Sequence, residues 1–168
     1  MNIIIAGAGE VGYHLARLLT KESHSIVLID TNQKVLDRAN SEMDLLTLRG
    51  NAYSFSLLDQ AGIENTDLLI AVTSSETTNL TIATLGKQLG AKKTIARVDS
   101  PEFVKMKGRL DLKDLGIDVI ISPEELASKE IFRLLRRTSF SDAYDFEFGK
   151  LNLLGLYVEP DSKMIGKS

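Results

Sequence analysis

Gly7, Gly9 and Gly12 form a G-x-G-x-x-G pattern. They lie between a short apolar run, Asn2–Ala6, and an apolar stripe at helical spacing: Val11, Leu15, Leu18 and Leu19. Glycines so placed suit phosphate binding. The first permits a tight turn, the second lets a pyrophosphate approach the backbone, and the third lets helix and strand pack closely. A helix opening here directs its unpaired N–H groups and positive dipole end at the phosphates. Glu10 occupies the loop position closest to them. A carboxylate there suits a helix N-terminus but not the terminal phosphate of a triphosphate, which favours a dinucleotide.

Further candidates follow at the ends of later apolar runs. Asp30 closes Ser25–Asp30, 18 residues after Gly12. Its carboxylate can accept hydrogen bonds from both ribose hydroxyls of an adenosine and repels a 2′-phosphate, so NAD is preferred over NADP; alternatively it only caps a helix. Gly50-Asn51-Ala52 follows the third run, where Asn51 either reads the adenine rim or takes the turn conformation that asparagine tolerates. Thr73, Ser74 and Glu76 belong to a polar segment ending at Asn79, across the switch point from the glycine loop. The segment's hydroxyls and Glu76 touch a ribose, phosphate or cation, or Ser75 and Glu76 merely start a helix. Arg97 stands inside an apolar strand and needs a partner, either a nearby carboxylate, the ligand or a neighbouring subunit.

The elements that must position these residues alternate regularly. Runs at 2–6, 25–30, 45–48, 67–72, 94–98 and 117–121 read as strands. Helical patterns fall at about 10–21, from Thr31 or Asn32 to Asn40, from Ser54 to Gly62, at about 76–89, and after Pro101. Nearly continuous apolar strands joined by helices call for a right-handed, doubly wound parallel sheet, a Rossmann fold, over residues 1 to about 122.

Composition limits the alternatives. Of 168 residues 43% are hydrophobic and 26% charged, enough apolar material for a proper core. A net charge of −3 with dispersed Lys and Arg argues against a nucleic-acid surface. Without cysteine there is no disulfide, thiolate nucleophile or Cys-ligated metal site. No apolar run approaches the ~20 residues of a membrane helix, and a strand beginning right after Met1 leaves no room for a signal peptide. His14 and His24 pair with no nucleophile or metal-ligand spacing.

Beyond Pro123 the pattern changes. Residues 124–137 are amphipathic, with Leu126, Ala127, Ile131, Leu134 and Leu135 on one face. This helix either covers the sheet of its own chain or crosses to a partner subunit. Tyr144–Phe148 and Leu151–Val158 then alternate like strands with one wet face, too few for a stable domain. Residues 140–168 thus read as a linker and the severed beginning of a second domain.

The set Gly7–Gly12, Leu28-Ile-Asp30, Gly50-Asn-Ala52, Ala71-Val-Thr-Ser-Ser75 with Asn79, and Ile95-Ala-Arg-Val98 before Ser100-Pro-Glu102 resembles the TrkA family of potassium-uptake regulators and their RCK, or KTN, domain. The tail Glu159–Lys167 resembles the opening of that family's C-terminal domain. The resemblance implies a cytoplasmic regulatory subunit and not an enzyme. Such a subunit dimerises, assembles into a ring, and gates a membrane potassium-translocating protein on binding NAD(H), or ADP, ATP or AMP.

It assigns nucleotide contacts to Gly7, Ala8, Gly9, Glu10, Val11 and Gly12, to Asp30 and Thr31 at the ribose, and to Gly50, Asn51 and Ala52 beside the adenosine. Thr73, Ser74, Glu76 and Asn79 border the crevice, and Arg97 lines it near the subunit boundary. Residues 1–122 would be the nucleotide domain, 123–139 the crossover and dimerisation helix, and 140–168 the linker and truncated C-terminal domain. Glu10 stands where ATP-binding relatives often carry arginine, Asp99 where a basic residue is common and Thr77 where a second acid is common. The runner-up is the cofactor domain of an NAD-dependent oxidoreductase, which needs a substrate domain with an acid–base residue.

Overall fold

Ile3, Ile4, Ile5 and Ala6 are all buried, so strand β1 (Asn2–Ala6) has apolar contacts on both faces. That burial is what a strand in the middle of a covered parallel sheet needs. In the computed structural model, which describes residues 1–100, 111–136, 142–146, 151–155 and 162, the chain divides into two units, Met1–Pro123 and Glu124–Ser168.

The first unit alternates strand and helix. β1 is followed by α1 (Glu10–Leu19), β2 (Ser25–Asp30), α2 (Gln33–Glu42), β3 (Leu46–Arg49) and α3 (Phe55–Gln60). Then come β4 (Leu68–Ala71), α4 (Glu76–Gln88), β5 (Lys93–Arg97) and β6 (Val119–Ile121). The six strands are parallel in the order β3-β2-β1-β4-β5-β6. This is the doubly wound α/β sheet expected from the alternation. Because strand order reverses between β1 and β4, the loops after these two strands diverge and leave a crevice at the carboxyl edge.

Strand alternation divides the core in two. Ile3 and Ile5 pack with Ile26, Leu28, Leu36 and Ile70 on one face. Ile4 and Ala6 pack with Ile29, Leu58, Leu69 and Ile82 on the other. Each fully buried Leu or Ile contributes about 1.5–3 kcal/mol, so the two layers hold the strand ends, and hence the crevice, in fixed register.

Most element boundaries move by a residue or two from the sequence expectation. Asn32, not Thr31, caps α2, its side chain accepting from the Lys34 amide at 3.1 Å. β6 starts later than expected because Ile117 is packed in the core with Ala83 and Ala96, and its amide donates to the Leu112 carbonyl in a turn. The helix expected after Pro101, Arg137, and the expected strand ends Phe148 and Val158 lie outside the described residues.

In the second unit α5 (Pro123–Arg136) leaves Leu126, Ile131 and Leu134 exposed. β7 (Asp142–Phe146) and β8 (Leu151–Gly155) form an antiparallel pair. No helix among the described residues is long and apolar enough to cross a membrane.

Candidate functional site

The ends of β1, β2, β3, β4 and β5 open onto one cleft of about 610 Å³, a size typical of small-molecule sites. Of the residues singled out in the sequence, Gly7, Gly9, Glu10, Val11, Asp30, Thr31, Gly50, Asn51, Ala52, Thr73, Ser74 and Arg97 line it.

The three glycines have different reasons for being glycine. Gly7 has φ +104, and a Cβ there would lie 2.8–2.9 Å from backbone atoms of Val72 and Thr73. The turn after β1 is therefore pressed against the end of β4. At Gly12 a Cβ would sit 1.8 Å from the Gly7 carbonyl oxygen, so α1 packs directly on the turn. Gly9 differs from both. Its backbone is extended (φ −64, ψ −170), and a Cβ would meet nothing among the described residues within 4 Å. The chain's own packing gives no reason for a missing side chain there; a ligand lying against the backbone does. Gly9 is also the N-cap of α1 with no side-chain cap bond, and first-turn helix amides have no intrahelical partner. Free amides at a helix N-terminus are suited to binding an anion.

Asp30 is tied to this loop. Its Oδ2 accepts from the Ala8 amide at 2.6 Å and its Oδ1 from the Asn32 amide at 2.8 Å. Asp30 thus steadies the residue that caps α2 and also holds the glycine loop, a tie the sequence did not announce. A carboxylate has about four lone-pair sites. Two are taken by these amides, leaving one on each oxygen for a pair of neighbouring hydroxyls. The donor set fits a ribose.

On the other side of the crevice, Asn79 is fully buried and commits its whole amide to the walls. Its Oδ1 accepts from the Thr73 amide and hydroxyl at 2.8 and 2.7 Å, and its Nδ2 donates to the Thr73 and Arg97 carbonyls at 3.1 and 3.0 Å. Asn79 therefore positions Thr73 and the end of β5 and does not face the cleft. Glu76 does not line the cleft either. Its Oε2 accepts from the Asp99 and Ser100 amides at 2.8 and 2.7 Å, fastening the first turn of α4 to the segment after β5. Ala8 is buried beneath the loop and Gly12 behind it. Asn79 and Glu76 serve the frame because the buried polar ends of β4, β5 and α4 need hydrogen-bond partners.

Arg97 meets two expectations at once. It lines the cleft and its Nε lies 3.0 Å from Asp99 Oδ1. Sequence reasoning missed Tyr53 as a lining residue, while Ser75 and Thr78, hydroxyls of the polar segment 73–79, line the cleft as well. Thr78 falls one turn after Ser75, whose hydroxyl caps α4 by accepting from the Thr78 amide at 3.3 Å. Tyr53 carried a plainer signal, an aromatic side chain next to Gly50-Asn51-Ala52.

The comparisons with known proteins bear on this site. The TrkA-N domain model matches residues 3–123. A Trk system potassium uptake protein TrkA homolog of Archaeoglobus fulgidus is 38% identical over 170 residues, covering all of this chain and 38% of that protein. The chain thus spans well under half the length of that relative. A homolog of the same description from Methanothermobacter thermautotrophicus is 32% identical, covering 99% of this chain and 74% of that protein.

Among solved structures, the TrkA-N domain of the Escherichia coli inner membrane protein ybaL superposes with a TM-score of 0.70 at 19% identity, over 80% of this chain and 96% of that one. The GsuK channel bound to NAD gives 0.65 at 18% identity, over 86% of this chain and 25% of that one. Likeness at these identities establishes the fold; the matched domain model and the sequence relatives establish kinship. The chain belongs to the TrkA family through its TrkA-N domain.

Proposed function

We propose that the chain is the nucleotide-sensing module of a potassium-uptake system and binds NAD(H) at the carboxyl edge of its sheet. The observation that carries this is Gly9, where the loop is bare without any packing reason and faces the helix N-terminus. Gly7 to Gly12 cradle the pyrophosphate, Asp30 and Thr31 take the adenosine ribose, and Gly50, Asn51 and Ala52 flank the base. Thr73, Ser74 and Arg97 border the distal half, with Asn79 and Glu76 fixing their backbone. The negative charge of Asp30 disfavours a 2′-phosphate, selecting NAD over NADP. ADP, ATP and AMP share the adenosine and compete for the same cleft; solved relatives of the same fold carry ADP and AMP.

The nucleotide acts here as a ligand, and the module is not an enzyme. Occupancy matters because the cleft spans loops from five strands. A ligand that binds one arrangement of those loops better than another shifts the population between them. Residues 1–122 form the sensing domain. Residues 123–139, whose Leu126, Ile131 and Leu134 are exposed, supply the dimerisation helix. Residues 140–168 are the linker and the start of the next domain. Dimers build a ring that acts on a membrane potassium-translocating subunit from the cytoplasmic side, as the naming of the relatives as potassium uptake proteins supports.

Calorimetric titration with NADH, NAD, ADP, ATP and AMP tests the reading. NADH is expected to bind, with Asp30→Ala weakening it about a hundredfold through two lost charge-assisted hydrogen bonds. Binding of no adenine nucleotide overturns the sensor, and an unchanged NADH affinity in Asp30→Ala overturns the ribose assignment. A strict monomer by light scattering, with and without NADH, overturns the dimer.

A further inference from the structure

The geometry points to Tyr53 as the stacking platform for the adenine base, a binding residue for the nucleotide; this rests on the nucleotide reading above. Strand order fixes the direction of the ligand. The anion-binding loop follows β1, Asp30 ends β2, and Gly50–Tyr53 follow β3, the next strand outward. A nucleotide with phosphates at the first and ribose at the second must carry its base toward the third. Tyr53 is the one aromatic side chain among the described residues lining the cleft, and it is 48% exposed.

The backbone beneath Tyr53 is fixed on both sides, so the ring is displayed rather than loosely hung. The Gly50 amide donates to the Asp30 carbonyl at 2.9 Å, which ties this loop to the ribose-binding strand. Ala52 is buried in the core with Leu48 and Leu58. The Ser54 amide closes a turn onto the Asn51 carbonyl at 2.9 Å. Among the described residues the Tyr53 hydroxyl has no hydrogen bond, so no polar contact ties the half-exposed side chain back to the chain. Every base has a π-face, and stacking on an aromatic ring is a recurrent way of holding one.

Titration of the 168-residue chain with AMP and with NADH tests the platform. Tyr53→Ala is expected to weaken both about tenfold, the size of one base–aromatic stack. Tyr53→Phe should stay within about twofold of the parent, since it keeps the ring. Phe55 lies two residues on, is 68% exposed and does not line the cleft, so Phe55→Ala controls for general loss of surface aromatics. The chain has no tryptophan, so Tyr53→Trp installs a single reporter whose fluorescence AMP should quench. An AMP affinity in Tyr53→Ala within about twofold of the parent overturns the platform, as does an equal loss in Phe55→Ala. If the parent chain binds neither AMP nor NADH, the nucleotide reading falls and the platform with it.

Discussion

The two ends of the parallel sheet are built from similar residue types and use them in opposite ways. At the amino end, polar groups face one another. Asp67 accepts from the Asn2 amide at 2.8 Å and from the Lys92 ammonium at 2.7 Å. Asp118 accepts from Lys87 and from the Thr94 amide, both at 2.8 Å, while Lys87 also donates to the Lys92 carbonyl and the Thr94 hydroxyl to the Gly116 carbonyl. At the carboxyl end, Asp30 spends one lone pair per oxygen on backbone amides and keeps the rest, and the first turn of α1 faces open space at Gly9. The difference separates stability from binding: a carboxylate paired with a lysine ties strands together, and one held by backbone amides keeps acceptor positions that can hold a ligand.

Two glycine substitutions put that separation to its hardest test. Gly12→Ala drives a Cβ into a backbone carbonyl 1.8 Å away that cannot rotate aside. It should cost about 3 kcal/mol and roughly 10 °C in melting temperature. Gly9→Val puts its side chain where the described residues leave room, so the melting temperature should stay within about 2 °C, the effect of an ordinary surface change. NADH binding should nevertheless fall about a hundredfold, because the pyrophosphate can no longer reach the backbone. A Gly9 variant that unfolds, or one that binds normally, breaks the separation of stability from binding.

Asp118→Asn tests the ion-paired end. It removes the charge facing Lys87 while nothing at the cleft changes. Stability should drop about 2 kcal/mol, roughly 5 °C in a thermal melt, with NADH affinity unchanged by calorimetry. A parallel loss of affinity would mean that the two ends communicate through β5, whose first residues meet Asp118 and whose last residue lines the cleft.

How much of this was legible beforehand depended on whether a residue's role is local. The strands were readable because burial on both faces demands continuous apolar runs, and their alternation with helices left few topologies. Asp30 was readable because its distance from the glycine loop follows from the length of one helix and one strand. Asn79 and Glu76 were not, since their partners at Thr73, Arg97, Asp99 and Ser100 depend on how the loops after β4 and β5 come together. A polar residue after a strand looks the same in sequence whether it faces a ligand or another loop. Tyr53 was overlooked although its aromatic side chain stands directly after Gly50-Asn51-Ala52, because only the fold shows that this loop lines the cleft.

The smallest expected effect is the acid dependence of stability, which sharpens the comparison because only one end should produce it. The Asp67 carboxyl is held below its ordinary range by the Lys92 hydrogen bond and then by the Asn2 amide. For Asp118, burial opposes the charge, but hydrogen bonds from Lys87 and the Thr94 amide outweigh it and again lower the pKa. A carboxyl whose pKa is lower folded than unfolded binds its proton more readily in the unfolded chain as pH falls. Its contribution is therefore complete above the unfolded pKa of about 3.9 and is lost as pH drops through the folded value. Thermal melts should be flat from neutral pH to about 5 and then decline. The decline should be shallower in the Asp67→Asn, Asp118→Asn double variant and unaltered in Gly9→Val. An unchanged acid limb in the double variant would move the acid-sensitive groups away from the amino end and remove the electrostatic half of the contrast.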